Sequence, residues 1–272
     1  MLVSHALLVP HLPTLMLDQH RGHRTEMLEA LAAASGRLEA EAPEVLVVLS
    51  ARWDTRGPFL VDTGRFHRTI TDYPGFGVEV RYDCPGHPAL ARALAEAGRA
   101  AGVRAATAER GVDSGVTVPL HFLVPLRRMP VVPLSLARRA GPECRAWGAV
   151  LRRSLAGWRE RVAFVVGGVL SLNLHAWNLK REVPEARAFD ESALEALGRG
   201  AWDELSEQAR RLAARAQPEA GLRHLEVLRG FLGADVPGEV RCYEGGPGVG
   251  AALVEFALHE AVESRPPEVP GA

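Results

Sequence analysis

Three short apolar runs constrain the fold of this chain most: Val45–Ser50 (VLVVLS), Val131–Leu136 and Val162–Val166 (VAFVV). Each is too short for a globular helix and rich in β-branched residues. A run that is apolar at nearly every position suits a strand covered on both faces, as in a parallel sheet between helix layers. Leu2–Val9 reads as a fourth buried strand, interrupted by Pro10-His11-Leu12-Pro13. Helical periodicity separates these runs: Thr25–Ala42, with Met27, Leu28, Leu31 and Leu38 apolar, then Pro88–Ala101, Cys144–Trp158, Glu191–Leu197, Ala201–Ala216 and Leu222–Phe231. A strand near Glu239–Tyr243 and a helix near Gly250–Val262 complete the reading. Alternating strands and helices predict an α/β fold: a three-layer α/β/α sandwich around a largely parallel or mixed central sheet. Without a repeat or a Ser/Gly linker, the expectation is one domain over residues 1–262 and a Pro-rich tail over 263–272.

Composition narrows the function classes. The 272 residues carry a net charge of -1, which gives no global field for nucleic acid or an anionic membrane. Three scattered cysteines without a CxxC pair argue against a disulfide framework or a zinc ribbon. No basic segment precedes an apolar run at the N-terminus, and no apolar run is long enough to span a bilayer. The expectation is a soluble, cytoplasmic protein.

Polar residues follow several of the predicted strands. His11 lies between two prolines after the first strand, and Ser50-Ala51-Arg52-Trp53-Asp54 ends the VLVVLS run. A glycine-rich turn, Gly167-Gly168-Val169-Leu170-Ser171-Leu172-Asn173, follows VAFVV. Glu219 starts a predicted helix, where the local dipole suits a carboxylate. Asp113-Ser114-Gly115-Val116-Thr117-Val118-Pro119-Leu120-His121-Phe122-Leu123 forms a further block. The Gly-rich segment Tyr243–Gly250 matches neither a dinucleotide fingerprint nor a P-loop and reads as a tightly packed turn before the last helix. Tyr73–Pro88, rich in Gly, Pro and aromatics, reads as a long ordered loop over the site.

These blocks together resemble the class III extradiol ring-cleavage dioxygenases, the family of LigB-type catalytic chains with its Memo-like relatives. The resemblance runs from Pro10 to about Phe256 and is most specific at Asp113–Leu123. It implies Fe(II) held by two histidines and a carboxylate, with open positions for a catecholate and O2, and a further histidine for acid/base work. The ligand positions fall on His11, Arg52 and Glu219, and two more active-site histidine positions fall on Ser114 and Leu172. Arg52, Asp113, Ser114 and His175 are the expected pocket residues.

The departures define the functional question. Arginine has no available lone pair for a metal, and leucine transfers no proton. Two ligands hold Fe(II) poorly, so the usual iron chemistry is expected to be lost. An ion pair between Arg52 and Glu219 is expected in place of the metal. Activity would need another ligand, with His175, His121 or His5 as the candidates. The alternative is a pseudo-enzyme binding a small aromatic or anionic ligand or a protein partner, and a third reading makes the chain one subunit of a hetero-oligomer whose partner completes the site; the assembly itself is left open between a homo- and a hetero-oligomer.

Overall fold

Side-chain alternation along the central strands sets the two faces of the sheet. In the computed structural model, which describes residues 1–73 and 81–258, Val45, Val47 and Leu49 point into one apolar cluster and Leu46 and Val48 into the other. The period of two in a strand requires this, and burial on both sides explains why the run lacks polar positions.

The elements in chain order are β1 (Leu2–Val9), α1 (Thr14–His20), α2 (Glu26–Ala40), β2 (Val45–Thr55), β3 (Phe59–Asp62), β4 (Phe66–His67), β5 (Cys84–Pro85), α3 (Pro88–Ala100), β6 (Ala105–Ala108) and α4 (Ser114–Leu123). Then follow β7 (Val131–Ala137), α5 (Gly141–Ala156), β8 (Val162–Gly167), α6 (Leu174–Asn178), α7 (Pro184–Arg199), α8 (Trp202–Ala216), a 3-10 turn (Glu219–Leu222), α9 (Arg223–Leu232), β9 (Gly238–Gly246) and β10 (Val249–Ala257). Eight strands form one sheet in the order β6-β3-β7-β2-β8-β1-β10-β9. The centre is parallel, with β7, β2, β8 and β1 running together. β10 and β9 add antiparallel strands beyond β1. Met27, Leu31 and Leu38 of α2 and Val116, Val118 and Leu120 of α4 cover one face. Leu90 and Leu94 of α3, Trp147 and Leu151 of α5, Phe189 of α7 and Leu228 and Phe231 of α9 cover the other. The fold is the expected α/β sandwich around a mixed sheet.

Three expectations are corrected. Val249–Ala257 is a strand, not the start of a helix; residues 259–262 of that expected helix, and the Pro-rich tail, lie outside the described residues. The Gly-rich segment before it is therefore a hairpin turn, with Pro247-Gly248 between paired Gly246 and Val249 and Gly248 at φ 69°. β2 does not stop at Ser50. It continues to Thr55 through a register shift against β7 between Ser50 and Asp54, so Arg52 stands on the strand itself. Much of the expected loop over the site, residues 74–80, lies outside the described residues. Among the described residues, no helix is long and apolar enough to cross a membrane.

Candidate functional site

Parallel strands β2, β8 and β1 are neighbours, and their C-terminal ends open on one side of the sheet, the usual position of ligand crevices in α/β folds. His11 follows β1 by two residues, Arg52 lies near the end of β2, and the Gly168–Leu172 segment leaves β8. The first turn of α4 brings Ser114 to the same place. A cavity of about 210 Å³ opens there, lined by His11, Arg52, Asp72, Ser114, Leu172 and Trp177 among others.

His11 and Glu219 form a buried pair at its base. The Nε2 of His11 and Oε1 of Glu219 are 2.8 Å apart, with each side chain about 4% exposed. The second oxygen of Glu219 accepts the Val169 N–H at 2.7 Å. Burial lowers the His11 pKa, but the Glu219 charge and hydrogen bond outweigh it, and the net direction is upward. Burial likewise raises the Glu219 pKa and His11 outweighs it, so Glu219 is lowered. Both directions favour an imidazolium–carboxylate pair in which His11 donates. Glu219 precedes three left-handed residues, Ala220, Gly221 and Leu222, at φ 49°, 61° and 57°. Two of these are not glycine, so the turn that carries the carboxylate is strained and is held by the structure around it.

Arg52 does not reach Glu219 as its hydrogen-bond partner. Its Nε donates to Oδ2 of Asp72 at 3.1 Å. Asp72 also accepts the Ser114 hydroxyl at 2.9 Å and the Ser114 backbone N–H at 3.0 Å. A carboxylate at the first N–H groups of a helix is favoured by both hydrogen bonding and the helix dipole. The Arg52–Glu219 pairing expected from the sequence is thus replaced by two separate pairs, Arg52–Asp72 and His11–Glu219.

Asp113 is wholly buried beneath the cavity rather than lining it. It caps α4 through the Gly115 N–H, accepts the Ser50 hydroxyl at 2.6 Å and pairs with Arg110. His175 is exposed on α6 and does not line the cavity. His121 meets Gln19 at 2.8 Å, and His5 lies beside Glu41 on β1; neither stands with the His11–Glu219 pair. Leu172 lines the cavity wall.

His224 is a site residue that the sequence reading passes over. It is fully buried, and neither ring nitrogen has a hydrogen-bond partner of ordinary geometry. Burial, only partly offset by the Glu219 charge, pushes its pKa down to about 4, so it is neutral beside the charged pair. Asp72 and Trp177 are further site residues without a sequence signal. Nothing in the local sequence ties Asp72 to a serine 42 residues further on. Among the described residues, no group of three or more His, Cys, Asp or Glu side chains is arranged to hold a metal ion.

The sequence model of one protein family, described as the catalytic LigB subunit of aromatic ring-opening dioxygenase, matches residues 5–254. This chain belongs to the LigB family. Curated relatives of this LigB-family protein include a 4,5-DOPA dioxygenase extradiol of Beta vulgaris, 30% identical over 37% of this chain and 39% of the relative. The dioxygenase tasH of Hapsidospora irregularis is 29% identical over 58% of this chain and 49% of the relative. A 4,5-DOPA dioxygenase extradiol of Escherichia coli (strain K12) is 33% identical over 48% and 49%. The matches thus span less than half the length of these relatives. Uncharacterized protein JW3007 from Escherichia coli K12 shares the fold, with a TM-score of 0.65, 22% identity and coverage of 93% and 100% of the two chains.

Beside the cavity, Ser171 anchors the Leu172 segment by donating to Oδ2 of Asp190 at 2.7 Å; Tyr243 of β9 donates to the same oxygen at 3.1 Å. Burial pushes the Asp190 pKa up to about 6. An acid with a raised folded pKa holds its proton preferentially in the folded state. Its charge therefore lowers stability as pH rises from near 4 through about 6. Asp190→Asn should gain on the wild type by roughly 2 kcal/mol between pH 4.5 and 7, by urea unfolding. A difference that does not change with pH would contradict this assignment.

Proposed function

We propose that this LigB-family protein binds a small anionic or aromatic ligand in the cavity at the ends of β1, β2 and β8 and does not open catechol-type rings with Fe(II). The observation that carries this reading is the state of the three ligand positions. His11 and Glu219 are hydrogen-bonded directly to each other at 2.8 Å, and the third position holds the Arg52 guanidinium. A facial iron site needs three lone-pair donors and open coordination positions. A guanidinium offers no lone pair, nor does a His11 nitrogen that donates to Glu219. This donor set does not fit the family's iron. Ser114 and Leu172, where the resemblance expects proton-handling histidines, add no base.

A second reading keeps the oxygenase activity suggested by the family and by the names of the relatives. One observation favours it: His224, buried and without a good partner next to Glu219, is a spare nitrogen close to the pair. Iron content and turnover separate the two readings. Untagged protein, reconstituted anaerobically with Fe(II) and assayed with catechol, 3,4-dihydroxybenzoate and DOPA, should retain far less than one iron per chain. It should give no yellow ring-cleavage product. Stoichiometric iron with turnover would overturn the proposal.

A further inference from the structure

We infer that the ligand of this cavity is a single-ring aromatic monocarboxylate, its carboxylate seated on the outer edge of the Arg52 guanidinium. The inference rests on the ligand-binding reading above and commits it to one chemical class. Asp72 takes only the Nε of Arg52, and Asp72 is itself fixed by two bonds from Ser114. The guanidinium is thereby aimed, while its two terminal Nη groups have no partner among the described residues. The side chain is 28% exposed and lines the cavity. Two parallel N–H groups in one plane match the two oxygens of a carboxylate.

The remaining walls decide the rest of the ligand. Leu12, Pro13, Leu172, Leu174, Trp177 and Val249 make them mainly apolar. The volume of about 210 Å³ is below the range that holds drug-sized molecules, so there is room for about one ring. A phosphate monoester fits poorly. Its second negative charge would lie beside the Asp72 carboxylate; His11, the other cationic group of the lining, is already paired with Glu219, and the chain's only lysine, Lys180, does not line the cavity. A neutral catechol gains the ring contacts and forgoes the fork.

Calorimetric titration of the full chain, dialysed against chelator, with benzoate, catechol and phenyl phosphate tests the assignment. Benzoate should bind one to one, and the other two at least roughly tenfold more weakly. Arg52→Gln and Arg52→Lys should each weaken benzoate by roughly tenfold or more, because lysine restores the charge but not the fork. Leu172→Trp, which leaves Arg52 intact, should block benzoate by bulk and carries the test should the Arg52 variants fail to fold. Wild-type benzoate affinity in folded Arg52→Gln or in Leu172→Trp, or tighter binding of phenyl phosphate, would overturn the inference. The two claims fail separately. Turnover of catechol by the iron-loaded protein removes the ligand-binding reading. Absence of both iron and benzoate binding removes only the ligand class.

Discussion

A single methyl group added at residue 167 should destabilise the protein by about 3 kcal/mol or more, the upper end for overpacking. Gly167 is the last residue of β8, between β1 and β2. A Cβ there would overlap the Gly115 carbonyl oxygen and stand 2.7 Å from its carbon and 3.3 Å from its Cα. Every obstacle is backbone, so no side chain can turn aside. Relief requires the first turn of α4 to move, and that turn carries Ser114 with its bonds to Asp72. Gly198→Ala is the control. It lies in α7 with nothing within 4 Å of an added Cβ, and it should stabilise by up to about 1 kcal/mol through helix propensity. Urea unfolding checks both. A Gly167→Ala variant within about 0.5 kcal/mol of wild type would disprove the close approach.

The second large effect is at Glu219. Removing its carboxylate with Glu219→Ala leaves His11 buried opposite an empty space and the Val169 N–H without its acceptor. Breaking a buried pair from one side costs about 3–5 kcal/mol. Replacing both members, with Glu219→Leu and His11→Leu together, should recover most of that loss, because no lone charge remains. The pH dependence has a defined sign. His11 has a raised folded pKa, so its contribution is full below its unfolded value near 6.5 and is lost as pH rises through the folded value. Glu219 has a lowered folded pKa, so its contribution is full above its unfolded value near 4.5 and is lost as pH falls through the folded value. The pair therefore stabilises most between about pH 4.5 and 6.5. Glu219→Gln should lose most relative to wild type in that window. A single-variant loss below about 1 kcal/mol, or a double variant no better than the single, would refute the pair.

The central strands are legible in the sequence because burial on both faces leaves a run with no polar positions. The same property hides β10. Val249–Ala257 (VGAALVEFA) is buried along nearly its whole length between β1 and β9, and its small residues suit either a strand or a buried helix. Periodicity cannot separate those cases. At the site, the motif positions of His11, Arg52, Ser114 and Leu172 do converge on one cavity. The partners of the charged groups are not legible. Arg52 pairs with Glu219 on paper because a metal would bridge those positions. In the fold, Glu219 is taken by His11 and Arg52 by Asp72, a residue in a segment with no motif of its own. His224 follows Glu219 by only five positions, but its full burial against Gly168 within reach of the Glu219 charge, visible only in three dimensions, is what marks it as part of the site.

The proposed loss of the iron site concerns the positions of His11, Arg52 and Glu219. Anomalous diffraction at the iron edge, from crystals soaked anaerobically in Fe(II), tests it most directly. The expected map has no iron peak at His11 and Glu219, with the two side chains still in direct contact. An iron peak between them, with the pair separated and a third ligand drawn in, would contradict it.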